Sequence, residues 1–142
     1  MVGSTVKGGV RNVYAYNCDF DGTDAGIRIK SNRDCGGVVE NLWFEDIRMG
    51  TILKQAVIMD MWYNDKNRTL PPDPGSTPTF HDIHIRNVTC KDADQAMVLI
   101  GLPESPIRDI TLENVTIRAR KGVTEEQTKN ITRANVKIEL AQ

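Results

Sequence analysis

The sequence predicts an all-β chain wound as a right-handed parallel β-helix, a solenoid of about four to five coils. Three observations predict it. A nine-residue pattern returns in one register, apolar residues alternate with period two inside each copy, and one position in every copy is Asn or Asp. Val10–Cys18 aligns with Val39–Ile47, with Phe80–Val88 and with Ile107–Val115, and a worn fifth copy runs near Ile131 to Leu140. The first four copies start 29, 41 and 27 residues apart, within the roughly 20–50 residue period of stacked repeat units.

The first strand of each copy follows from Val13/Ala15, Leu42/Phe44, Ile83/Ile85 and Ile110/Leu112, which alternate with polar or aromatic neighbours. That alternation puts one set inward and the other outward. Asn17, Asp46, Asn87 and Asn114 come next, at a turn where short polar side chains tolerate left-handed backbone. A second inward pair follows in each copy: Cys18/Phe20, Ile47/Met49, Val88/Cys90 and Val115/Ile117. After a variable stretch a third strand closes the unit at Ile27–Lys30, Val57–Asp60 and Met97–Ile100. Strands of equal register stacked about 4.8 Å apart make a parallel β-helix, in which Asn side chains can bond up the stack. An antiparallel sandwich would need two-residue hairpin turns, and the chain offers few.

Residues 1–142 form one domain of ordinary size, with an inserted loop at 62–79 and a last coil and C-terminal tail at 121–142. The loop is rich in Pro and Gly, which excludes regular structure there. Net charge is −1, from 18 basic and 19 acidic residues, so neither nucleic acid nor a membrane surface is an expected partner. No stretch is long and apolar enough for a helical span. Met1–Gly8 lacks the apolar core of a signal peptide, which leaves the compartment open. Cys18, Cys35 and Cys90 lack metal-ligand spacing, so no metal and no cofactor is expected; Cys18 and Cys90 fall at inward positions and read as buried thiols. Four Asn-x-Thr sequons begin at Asn67, Asn87, Asn114 and Asn130, two of them at turn positions of the repeat, where they follow from the repeat itself. Val98 and Ile100 are apolar on the outward side of a strand already apolar inside. Such a strand is usually covered, here by the inserted loop, the tail or another subunit.

Two motifs are set aside. Asp19-Phe20-Asp21-Gly22-Thr23 is similar to the nucleophile motif of haloacid-dehalogenase-type phosphatases, but it lies inside a repeat and no downstream acidic pair follows. Asp19, Asp21 and Asp24 also miss calcium-loop spacing. Gly26-Ile27-Arg28-Ile29-Lys30 carries more. With Ile27 and Ile29 inward, Arg28 and Lys30 share the outer face about 7 Å apart. Arg offers a planar fork and Lys a point charge to carboxylates. Spacing alone favours two solvated cations on an exposed sheet.

Taken together, Gly8–Val13, Asp21–Ser31 and Gly36–Asn41 resemble glycoside hydrolase family 28, the polygalacturonases and rhamnogalacturonan hydrolases. The resemblance runs from about Gly3 to Gly122. It implies a right-handed β-helix, a pectic uronate substrate and cleavage with inversion. It implies that Arg28 and Lys30 hold substrate carboxylates and that Tyr63 lines the site. Cys35 stands where an Arg is common in the family. An inverting glycosidase needs a carboxylic acid and a carboxylate base about 6.5–9.5 Å apart. The family supplies them from Asn-Thr-Asp and Asp-Asp motifs supported by Gly-His-Gly, and this sequence contains none of the three. His81 and His84 fall within a repeat strand and are not catalytic on this reading, and the resemblance makes Asp19, Asp21 and Asp24 structural. No catalytic residue is therefore assigned. The expectation is the C-terminal, substrate-binding half of a polygalacturonase-type helix, inactive alone, that forms a homo-oligomer or docks onto the missing N-terminal coils. Family members are usually secreted or periplasmic. Two alternatives stand beside it: a self-assembling structural β-helix without sugar chemistry, and an enzyme completed by a second chain.

Overall fold

In the computed structural model, which describes residues 1–141, six strands follow one another: β1 (Val10–Phe20), β2 (Ile27–Lys30), β3 (Val38–Asp60), β4 (Thr79–Ile100), β5 (Ile107–Glu126) and β6 (Thr128–Leu140). All pair in parallel, in the order β1-β3-β4-β5-β6, with β2 alongside β3. This is a parallel β-helix, and no helical segment occurs among the described residues.

The register is the one the repeat predicts. Val10 lies beside Val39 and Val39 beside Phe80. Cys18, Ile47, Val88 and Val115 form one column, and Ile27, Val57 and Met97 another. Leu42, Ile83, Ile85, Ile110 and Leu112 are buried to within 1%. Removing each such side chain from water contributes roughly 1.5–3 kcal/mol.

The long strands bend at residues with left-handed backbone. Asn17, Asp46, Asn87 and Asn114 have φ of 52–55°, as their shared position predicts. A second column, Asn12, Asn41, Asp82, Asp109 and Asn130, has φ of 53–60°. Its first four members stand third in their copies, and Asn130 directly precedes the worn fifth copy. Both columns bond along the stack. Asn41 Nδ2 donates to Asn12 Oδ1 at 2.7 Å, Asn87 Nδ2 to Asp46 Oδ1 at 3.2 Å and Asn114 Nδ2 to Asn87 Oδ1 at 3.1 Å. Asn87→Ala loses two of these bonds and puts a residue poorly suited to φ 54° at the bend. The expected cost is about 1–3 kcal/mol, read as a lower urea midpoint, with Asn87→Gly recovering the backbone share.

One expectation, a buried Cys18, needs correction. β5 continues through Lys121 to Glu126, with Gln95 paired to Lys121 and Met97 to Val123, and β6 starts at Thr128. This third strand of the fourth unit, Val123-Thr124-Glu125, carries no apolar triplet that would mark it in the sequence. Cys90 is buried, but Cys18 is only half-buried, since β1 has a strand on one side alone. Burial pushes the Cys90 thiol up. Val98 is covered within the chain, at 7% exposure, and Trp62 of the loop reaches the adjacent turn through Nε1–H to the Gly101 carbonyl at 3.1 Å.

Candidate functional site

β2 is short, and its two faces differ completely. Ile27 and Ile29 enter the core at 2% and 0% exposure, which turns Arg28 and Lys30 to the outside. The next coil places Ile58 beside Arg28 and Asp60 beside Lys30. Lys30 is nevertheless only 8% exposed, because Tyr63 lies over its ammonium and Val2–Gly3, paired with β2, covers its stem. The Lys30 ammonium sits 3.8 Å from the Tyr63 ring centroid and the Arg28 guanidinium 5.5 Å from it. The residues picked from the sequence on opposite sides of a variable stretch thus converge on one patch. Lys30, with a smaller contribution from Arg28, holds the Tyr63 phenol below its usual range.

Tyr63 is held by its main chain. Its N–H donates to the Ser31 carbonyl at 3.0 Å, and Asn32 Nδ2 donates to its carbonyl at 2.9 Å. Neither Arg28 nor Lys30 has a carboxylate within ion-pair distance among the described residues, although most other arginines do. Arg28 Nε and Ser31 Oγ are buried without a hydrogen-bond partner. Asp60 is the nearest acid in register, and burial raises its pKa; its Oδ1 accepts the Trp62 N–H at 2.8 Å rather than either cation. An open cleft of about 310 Å³, lined by Phe20 and Thr23–Gly26, reaches Arg28. A cation buried without a counter-charge is costly. With no carboxylate paired to either cation, Arg28 can offer a planar fork and Lys30 a point charge to an anion.

The support behind Tyr63 was not read from the sequence. Arg33, 8% exposed, donates Nε and Nη2 to the two Glu104 carboxylate oxygens at 2.7 and 2.8 Å, and Nη1 to the Leu70 carbonyl at 2.6 Å. Its guanidinium lies 4.5 Å from the Trp62 ring centroid, and that of Arg68 lies 5.2 Å from it. Asp65 accepts the Thr69 and Leu70 N–H groups at 2.8 and 3.0 Å, which holds its carboxyl below the usual range. The inserted loop is thus tied down at both arms of a turn. No periodic signal announces such loop contacts; a charged residue beside the Arg28/Lys30 strand was the sole available pointer.

A folded carboxyl pKa below the unfolded value contributes stability above the unfolded pKa of about 3.9 that is lost as pH falls through the folded one. Asp65→Asn is accordingly expected to lower the urea midpoint at pH 7, with the gap from the unsubstituted chain narrowing below about pH 4.

Of the remaining candidates, Asp24 lines the same cleft as Arg28, and the others lie elsewhere. Asp19 pairs with Arg48 at 2.8 Å, Asp21 Oδ1 accepts the Thr51 N–H at 2.9 Å and Asp24 pairs with Lys54 at 3.4 Å. All three brace neighbouring coils. His81 bonds to Glu40, and His84 stacks on Trp43, both on outward faces of β4 away from Lys30.

The family model of glycosyl hydrolases family 28 matches residues 1–138. The chain belongs to glycoside hydrolase family 28. It is 28% identical to an exo-poly-α-D-galacturonosidase of Dickeya chrysanthemi over 96% of its length, which spans 25% of that protein. It is 30% identical to an endo-polygalacturonase of Pectobacterium parmentieri, covering 91% of this chain and 29% of the relative. A hyperthermoactive exopolygalacturonase from Thermotoga maritima shares the fold with a TM-score of 0.86 at 24% identity, over 96% of this chain and 30% of that one. The chain thus spans less than a third of the length of these family 28 relatives.

Proposed function

We propose that this chain carries the uronate-binding wall of a polygalacturonase-type site, with Arg28 and Lys30 holding carboxylates of a pectic chain and Tyr63 packing against both cations and the bound sugar. The observation that carries the reading is that the Lys30 ammonium and the Arg28 guanidinium lie against one aromatic ring with no carboxylate of the described residues within ion-pair distance. Membership of family 28 and the galacturonan named in its relatives supply the substrate class.

Binding and bond cleavage are separate requirements. Inversion needs an acid and a base on opposite faces of the sugar, with a water between them. These 142 residues contain no Asn-Thr-Asp, Asp-Asp or Gly-His-Gly, and Asp19, Asp21 and Asp24 are engaged in bracing. The chain by itself is therefore expected to bind oligogalacturonate without turning it over. Titration with tetragalacturonate tests this. Affinity should fall as salt rises, and Arg28→Ala and Lys30→Ala should each weaken binding at least tenfold, the order expected for a lost charge-assisted contact. Binding indifferent to both substitutions sinks the assignment. Reducing-sugar release above those two controls would show a working acid–base pair within the chain.

A further inference from the structure

Outside the Arg28/Lys30 patch, one groove follows the bend between the first two segments of β4, β5 and β6. Trp43, His84, Thr111 and Thr132 form an outward column there, one residue per coil. Trp43 stacks on one face of His84, with ring centroids 4.0 Å apart and planes 21° from parallel. The next two residues in the column are threonines. Neither carries a ring, so the aromatic stack ends at His84 and its second face borders open space. That space is a cleft of about 250 Å³, walled by the bend residues Asp82, Asp109 and Asn130 and floored by Thr111 and Thr132.

Trp43 shows what the groove accommodates. In its own coil the indole lies across the same corner and donates Nε1–H to Asn41 Oδ1, the bend residue there, at 2.9 Å. One and two coils beyond His84 nothing fills the equivalent place. The polar groups around it have capacity to spare. The Thr111 and Thr132 hydroxyls make no hydrogen bond among the described residues, and Asp82 Oδ1 has no donor there. Asp109 accepts from Asn130 at 2.7 Å and from Arg108 at 2.9 Å, which fixes that wall. Burial lowers the His84 pKa, outweighing the opposing pull of Asp82, so the ring is an uncharged platform near pH 7.

We propose that this groove is a second saccharide-binding site, for a neutral pyranose stacked on the free face of His84, with its hydroxyls bonded to Asp82, Thr111 and Thr132. A flat apolar face beside a ring of acceptors and hydroxyls is the complement of a sugar, which presents C–H groups on one face and O–H donors around its edge. The carboxylates decide the charge class. Arg108 is already paired with Asp109 and His81 Nδ1 with Asp82 Oδ2, which leaves no free cation there for a uronate, whereas Asp82 Oδ1 can accept from a neutral hydroxyl. The site therefore selects against the ligand proposed for Arg28 and Lys30, and it does not rest on that assignment.

The test is chemical-shift perturbation of the whole chain by neutral galactotetraose and, separately, by tetragalacturonate. Galactotetraose is expected to bind with millimolar affinity and to shift the amides of 82–84, 109–111 and 130–132. His84→Ala and Thr111→Val should each weaken it at least fivefold, while Arg28→Ala leaves it unchanged. Both residues are half-buried on an outward face, and an unchanged urea midpoint separates lost binding from lost fold. No shift at those residues up to 50-fold excess of sugar overturns the proposal, as does equal perturbation there by tetragalacturonate or binding indifferent to His84→Ala.

Discussion

Phe80→Ala is expected to lower the unfolding free energy by about 3–5 kcal/mol. Phe80 is fully buried and is the largest of the residues removed entirely from solvent. It sits in the column that starts with Val10 and Val39, directly after the inserted loop returns the chain to the stack. The coils hold their places by the side chains between them, so deleting a ring there leaves a hole bounded by Val39 and the neighbouring coil, neither of which can move without breaking its ladder. The cavity term therefore adds to the lost transfer energy in full. Phe80→Leu keeps most of the volume and should cost less than about 1.5 kcal/mol. Tyr16→Ala, 61% exposed on an outward face, should change stability by less than about 0.5 kcal/mol. Urea unfolding of the three variants checks the order. Equal midpoints for Phe80→Ala and Tyr16→Ala would mean that the inward column does not carry the stability of the helix.

How much of this was legible depended on whether a contact repeats. The inward columns and the shared Asn turn were readable because every coil restates them. A parallel stack makes residues 29 or 41 positions apart direct neighbours, and the register of Leu42 beside Ile83 follows from the alignment alone. Arg28 and Lys30 were readable for the same reason, since Ile27 and Ile29 fix which way they point. Tyr63 came from the family resemblance, and the structure brings it over both cations. Contacts made once were not readable. Arg33 reaches Glu104 and Leu70 across 71 and 37 residues, and neither partner has a counterpart in another coil. The aromatic column that ends at His84 is an intermediate case. Its residues lie at a repeating position, but its meaning lies in where the repetition of rings stops.

Gly36→Ala should cost about 1–3 kcal/mol although it adds a single methyl. A Cβ built at Gly36 falls 2.1 Å from the Pro78 nitrogen, 2.3 Å from the Ser76 oxygen and 2.5 Å from the Thr77 carbonyl carbon. All three are backbone atoms, so no side chain can rotate away and one of two main-chain segments must shift. The contact is where the far end of the inserted loop crosses the start of β3. Gly36 N–H donates to the Ser76 carbonyl at 2.9 Å there, Thr79 N–H to the Gly37 carbonyl at 2.9 Å, and Ser105 Oγ–H to the Pro78 carbonyl at 2.7 Å. Displacing the loop strains all three bonds, and the same loop carries Tyr63 at its near end. Gly36→Ala is therefore expected to lower the urea midpoint and to raise amide exchange across residues 62–79 more than in β4 or β5. It should also weaken tetragalacturonate binding while Arg28 and Lys30 remain in place. Gly8→Ala is the control, since a Cβ at Gly8 meets nothing within 4 Å, and it should leave all three readouts unchanged. An unchanged midpoint in Gly36→Ala would mean that the loop is free to move off β3, and a rigidly held Tyr63 could then no longer be part of the site.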